Sequence, residues 1–285
     1  MGIKNKVSIV IPIYRSSLTH KEEISLTQCL RILSKHSIYL VTFNSLDVSK
    51  YLEIFNNENV NISGIKYFDS KFFSSIQGYN RLMMNKFFYL AFNKYKYILI
   101  YQLDCFVFND DLLEWCDKEY DYIGAPWFEK FNNATIDSDY LGVGNGGFSL
   151  RKIDGFLKVL NSNTKIVRLS DYSVFKKLFE NKLKRIIKFL RAYLYGNNTN
   201  YIKNKFSLNE DYFWGYFAPK ESAFFNVPKV TEALHFAFEV MPERMFNDNQ
   251  NRIPFGCHAW WRYNLQFWIP YIESYGYELD LDEQG

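Results

Sequence analysis

Residues Tyr97–Asp110 read YILIYQLDCFVFND. A run so rich in β-branched and aromatic residues predicts a strand buried on both faces. One carboxylate, Asp104, interrupts it. A charged carboxylate in apolar surroundings is strongly disfavoured, so it must neutralise, find a partner or stand where the strand leaves the core. The last option is the informative one. In sheets of parallel strands, ligands gather beyond the carboxyl ends of the strands, and Asp104 is expected at such an end.

The flanking sequence supports a parallel sheet. Val7–Tyr14, VSIVIPIY, predicts a first central strand. Lys21–Ser34 carries Ile24, Leu26, Leu30 and Leu33 at helical spacing, and Ser37–Phe43 predicts a second strand. A short helix over Ser49–Phe55, a third strand over Asn61–Phe68 and one helix over Tyr79–Phe92 complete the approach to Tyr97. Strands alternating with helices imply a mostly parallel sheet covered by helices, an α/β fold. Farther on, Asp121–Pro126 predicts a short strand running into a turn. Gly142–Arg151, GVGNGGFSLR, predicts a glycine-rich loop entering a strand, and Asp154–Leu160 a helix. No repeat and no Pro/Gly/Ser linker divides the chain, so one domain over 1–285 is expected.

Composition narrows the class. The 285 residues are 48% hydrophobic and 23% charged, which is globular. Aromatics reach 19%, enough for a large core and for clefts that stack on rings. A net charge of +3 gives no case for nucleic acid. Cys29, Cys105, Cys116 and Cys257 form no zinc-type spacing and read as reduced, buried thiols. No signal-peptide pattern opens the chain, and no run approaches the roughly 18 apolar residues of a membrane span. A cytoplasmic protein is expected.

One segment breaks the charge balance. Lys165–Arg191 carries nine basic residues against Asp171 and Glu180, a net of +7 that leaves −4 elsewhere. Phe175, Leu178, Phe179, Ile186, Leu190 and Leu194 recur there at helical spacing, with Gly196 as a stop. This predicts a basic amphipathic helix. Two readings stand: a helix docked on its own core, or one lying on an anionic membrane surface at the inner face of the cytoplasmic membrane.

Four clusters could carry chemistry: QLD at Gln102–Asp104, VGNGGFSLR at Val143–Arg151, NEDYFWG at Asn209–Gly215 and PFGCHAWW at Pro254–Trp261. Asp104 suits Mg²⁺ or Mn²⁺, which take one or two carboxylates plus phosphate oxygens; on spacing alone a cap or an arginine partner is the commoner use of such a residue. Gly144, Gly146 and Gly147 around Asn145 allow close backbone approach to a ligand, or simply a tight turn. Glu210 and Asp211 repel each other, which can raise the pKa of one and make it a base; they also suit the first turn of a helix. His258 could be a ligand nitrogen or a hydrogen-bonded core residue.

Taken together and in this order, the clusters resemble nucleotide-sugar glycosyltransferases of the GT-A fold. More closely, they resemble a bacterial family of unknown function that occurs with polysaccharide biosynthesis genes. The matching stretches are VSIVIPIYR, FSSIQGYNRLMM, YILIYQLDCFVF, YDYIGAPWF, VGNGGFSLRK, NEDYFWG, ALHFAFE and PFGCHAWW. They cover most of 7–268 apart from a basic helical insertion near 162–205. The resemblance implies a single GT-A domain and transfer of a sugar from a nucleoside diphosphate sugar to a hydroxyl of a glycan or lipid-linked glycan. It implies Asp104 and His258 on a divalent cation, with Gln102 standing where the family's DxD motif has its first Asp. Pro12, Tyr14, Arg15, Asn80, Gln102, Asp104, Asn145, Gly146 and Gly147 would hold the donor. Asp211 would be the base of an inverting mechanism, with Glu210 second. Trp127, Tyr212, Trp214 and Trp260 would face acceptor sugars. A retaining transferase, a catalytically silent glycan-binding module and a nucleotidyltransferase are the alternatives.

Overall fold

The computed structural model describes residues 5–162, 169–195 and 208–279. Its central sheet has six strands in the order β3-β2-β1-β4-β9-β6. These are β1 (Asn5–Pro12), β2 (Ser37–Thr42), β3 (Gly64–Tyr67), β4 (Tyr95–Tyr101), β6 (Tyr122–Ile123) and β9 (Phe148–Lys152). β1 pairs in parallel with β2 and β4, and β2 with β3. β9 runs antiparallel to both β4 and β6. The sheet is therefore mostly parallel. The chain steps from β1 to β2 and β3 on one side, and β4 returns on the other side of β1. That reversal beside β1 is where such sheets form a ligand crevice.

Side-chain alternation explains the burial. Val10, Ile98 and Ile100 face one core cluster, and Ile9, Ile11, Tyr97 and Leu99 face another on the opposite side of the sheet. Parallel strands covered on both faces need apolar residues at nearly every position, as β1 and β4 have. Helix α1 (His20–Leu33) starts with reciprocal capping: Thr19 Oγ1 accepts from the Glu22 amide, and Glu22 Oε2 accepts from the Thr19 amide. Helix α2 (Ser49–Asn57) follows β2.

Two expectations need correction here. The helix expected over Tyr79–Phe92 is two, α3 (Ile76–Met83) and α4 (Lys86–Leu90). Asn85 breaks it, its side chain accepting from the Phe87 amide as the cap of α4. The strand expected to reach Asp104 ends at Tyr101. Gln102–Asp104 form a turn closed by the Cys105 amide donating to the Gln102 carbonyl, and the chain continues as β5 (Cys105–Val107) in a second sheet.

That second sheet has the order β10-β11-β5, with β10 (Ala237–Phe238) and β11 (Gly256–His258). It packs on a third cluster that includes Phe106, Phe238, Trp260 and Trp268. A hairpin of β7 (Pro126–Phe128) and β8 (Tyr140–Val143) leads to the glycine loop. Helices α5 (Leu112–Asp117) and α6 (Ile153–Leu160) cover the sheet.

The basic segment is also divided. It forms α7 (Tyr172–Leu178) and α8 (Lys182–Tyr195), separated by an extended Phe179. Phe175, Leu178 and Phe189 face the core, whereas Leu190 and Leu194 are exposed, so the expected single stripe is split between two faces. Lys165, Arg168 and Gly196 lie outside the described residues. All four cysteines are free and buried.

Candidate active site

Register brings the chemical residues together. β4 and β9 pair Tyr101 with Phe148. One step on, the Gln102 amide donates to the Gly147 carbonyl at 2.9 Å, which ties the QLD turn to the glycine loop. In the second sheet, β11 pairs His258 with Cys105 of β5 and Cys257 with Phe238 of β10. The next residues along these strands are Asp104 and Glu239. His258 is thus held between two carboxylates. Its Nδ1 lies 2.8 Å from Glu239 Oε1, and its Nε2 lies 3.1 Å from Asp104 Oδ1 and 3.3 Å from Gln102 Oε1.

The electrostatics follow. Burial opposes a charge on His258, but Asp104 and Glu239 outweigh it and raise its pKa to about 10. Burial likewise works against Asp104, and His258 outweighs it, leaving the carboxyl below its ordinary value. Asp104 Oδ1 is sealed from solvent without a well-directed hydrogen bond. Should Nε2 give up its proton, the imidazole nitrogen, the Asp104 carboxylate and the Gln102 amide oxygen make a donor set that could hold Mn²⁺ or Mg²⁺, with Glu239 orienting the ring from behind. Cys105 Sγ also lies in this group. Its thiol donates to the Gly147 carbonyl at 3.3 Å, and burial pushes its pKa well up.

The glycines allow this crowding. A Cβ on Gly147 would lie 2.0 Å from His258 Nε2 and 2.8 Å from Gln102 Oε1. A Cβ on Gly146 would lie 2.4 Å from Glu210 Oε1. Asn145 adopts a left-handed φ of 70°, and its Oδ1 accepts from the Gly147 and Phe148 amides, which fixes the loop.

Glu210 and Asp211 open a short helix, Glu210–Tyr212, which widens into a π turn over Phe213–Phe217. Their surroundings differ. Glu210 is 2% exposed and forms a two-pronged pair with Arg151, itself 0% exposed, at 2.9 and 3.2 Å. Arg151 also donates to the Gly146 carbonyl, Tyr89 and Ser149. Asp211 has no cationic partner among the described residues. Its Oδ2 accepts from the Gly146 amide at 3.3 Å and its Oδ1 from the Tyr212 amide at 2.8 Å. Burial, then Glu210 and Glu239, raise its pKa to about 7. A carboxylate poised near neutrality is a competent general base.

These groups share one cavity of about 1000 Å³, large enough for a sugar nucleotide. Pro12, Tyr14 and Arg15 line it from the exit of β1, and Asn80 from α3, where its amide reaches Asn209. Gln102, Asp104, Asn145, Gly146, Gly147, Glu210, Asp211 and His258 line it as well. Of the four aromatic platforms expected, Trp127 and Tyr212 line the cavity and stack on each other at 5.6 Å. Trp214 and Trp260 do not. Both are fully buried, Trp214 against Phe156 and Trp260 with its indole N–H on Ser25. Trp261 and Tyr263 line the cavity instead. Sequence reasoning missed Glu239 and Arg151. A glutamate at the tip of a two-residue strand carries no local pattern, but an arginine alternating with Phe148 and Leu150 in an apolar strand is a signal of a buried ion pair.

The profile of a family described as "Protein of unknown function (DUF5672)" matches residues 63–258. No curated protein matches the chain by sequence. Among solved structures, the apo form of the glycosyltransferase GlyE of Streptococcus pneumoniae TIGR4 aligns at TM-score 0.44 and 12% identity, over 95% of this chain. This chain spans only 63% of that one. A glycosyltransferase involved in glycosylation of the major capsid of PBCV-1 aligns at 0.41 and 11%, over 94% of this chain and 99% of that one. An active-site variant of LgtC aligns at 0.49 and 13%, over 88% and 86%. Likeness at this level names no donor, acceptor or mechanism.

Proposed function

The chain belongs to the DUF5672 family of proteins of unknown function, and we propose that it is a GT-A-type glycosyltransferase acting in bacterial surface polysaccharide synthesis. The reading treats the chain as one catalytic domain with a helical insertion near 162–205, working at the inner face of the cytoplasmic membrane. It takes a sugar from a nucleoside diphosphate sugar and gives it to a hydroxyl of a glycan or lipid-linked glycan. One observation carries it: the QLD turn, the glycine loop, His258 with Glu239, and Asp211 all meet in one cavity beside β1.

In this reading, Pro12, Tyr14 and Arg15 receive the nucleoside and the 146–147 loop lies against the donor. Asp104, His258 and Gln102 would hold a divalent cation, which when bound offsets charge on the diphosphate. Asp211 accepts the proton of the acceptor hydroxyl as its oxygen attacks the anomeric carbon. The bond from that carbon to the diphosphate oxygen breaks, and the nucleoside diphosphate leaves with the bonding pair. Attack opposite the leaving group inverts the anomeric centre. Glu210 keeps Arg151 neutralised and so holds the loop; it takes no proton. Trp261 and Tyr263 offer ring faces to sugars, whereas Tyr212, stacked between Trp127 and Tyr216, backs the cavity wall.

The test is incubation with a panel of nucleoside diphosphate sugars and Mn²⁺. Release of nucleoside diphosphate, with an inverted sugar product, is expected. A product of retained configuration would remove Asp211 as base. Pyrophosphate release would indicate a nucleotidyltransferase, and glycan binding with no release a binding module.

A further inference from the structure

The outer face of α8 is not used by the reading above. Leu183, Ile187, Leu190 and Leu194 are exposed by 43–69%. Their spacing of four, three and four residues sets them in one stripe along one side of the helix. Docking to the fold uses another side, where Phe189 packs edge-on against Tyr172 and Phe175 of α7. α8 holds five basic residues, Lys182, Lys184, Arg185, Lys188 and Arg191, and no acidic one. Near α7, Lys177 pairs with Glu129 and Lys220 with Asp171, and on α8 the Arg185 guanidinium donates to the Phe179 and Glu180 carbonyls. Lys184 and Lys188 line the cavity. Burial, then the nearby Lys184 and Arg191, lower the pKa of Lys188, so like charges crowd this rim.

We propose that α8 is a membrane-contact helix whose Leu183–Leu194 stripe enters the surface of an anionic bilayer while its basic flanks meet lipid phosphates. Charge complementarity selects this occupant. A second copy of the chain docking through the same helix would set five cations against five. A nucleic-acid backbone would leave the leucines in water, whereas a bilayer surface takes both faces at once. Held this way, the cavity rim with Lys184 and Lys188 lies at the bilayer, where a lipid-linked acceptor presents its phosphate. Only this last consequence rests on the glycosyl-transfer reading.

The test is co-sedimentation of the full chain with vesicles of phosphatidylcholine alone or with one-third phosphatidylglycerol, over a salt series. Binding to the anionic vesicles alone is expected, weakening as salt screens the charges. Lys182→Gln with Arg191→Gln should reduce partitioning by about tenfold or more, and Leu190→Ser with Leu194→Ser should also reduce it. None of the four residues lines the cavity, so circular dichroism and any donor-induced thermal shift should match the unaltered protein. No pelleting with anionic vesicles, pelleting that these changes leave intact, or a lipid-free dimer that Leu190→Ser dissociates would overturn the proposal. Vesicle binding without donor turnover would count against the transferase reading and leave this one standing.

Discussion

Glu210 and Asp211 are neighbours in the chain with opposite environments. Arg151 neutralises Glu210, while among the described residues Asp211 accepts from the Gly146 and Tyr212 amides and is repelled by Glu210 and Glu239. Asp211→Asn should therefore lower turnover by roughly 10²–10⁴-fold with donor binding little changed, read by steady-state kinetics beside calorimetry. Because the base acts only when unprotonated, wild-type turnover should fall as pH drops through about 7. Stability runs the other way. A folded pKa raised above the unfolded value contributes stability below the unfolded pKa that is lost as pH rises through about 7. At pH 8 the Asn variant should thus unfold at a denaturant midpoint no lower than wild type. Glu210→Gln leaves Arg151 buried without a counter-charge and should cost about 3–5 kcal/mol of stability, measured by urea titration. If Asp211→Asn keeps full turnover and Glu210→Gln loses it without unfolding, the roles are reversed. The pair itself was legible in the sequence, but its division of labour was not, because the partner of Glu210 lies 59 residues away.

At the scale of elements, two short strands assemble the proposed cation site. β10 and β11 run parallel, and their register sets Glu239 beside His258. Glu239→Ala should leave the fold intact and weaken Mn²⁺-dependent nucleotide binding by about 10–100-fold, measured by calorimetry. Unchanged affinity would mean that His258 needs no support from behind. The long strands and the glycine loop were legible because unbroken runs of β-branched and aromatic residues and close glycine spacing are local signals. The break at Asn85 was not, since an asparagine inside an apolar run reads as helix until its capping contact is known. Trp260 and Trp261 show the same limit. Adjacent tryptophans look alike in sequence, yet one is buried on Ser25 and the other lines the cavity.

For the whole molecule, the parallel sheet, the second sheet and the hairpin converge on one cavity beside β1, and the claim is that a nucleoside diphosphate sugar occupies it with a cation. A ligand that binds only the folded state raises stability by RT ln(1 + [L]/Kd). A thermal-shift panel of nucleoside diphosphate sugars, with and without Mn²⁺, on wild type and Asp104→Asn is the most direct measurement. At least one donor should raise the midpoint of the wild type, more with Mn²⁺ than without, and Asp104→Asn should fold but lose the Mn²⁺-dependent part. A wild-type midpoint unmoved by every donor at millimolar concentration, with or without Mn²⁺, would contradict it.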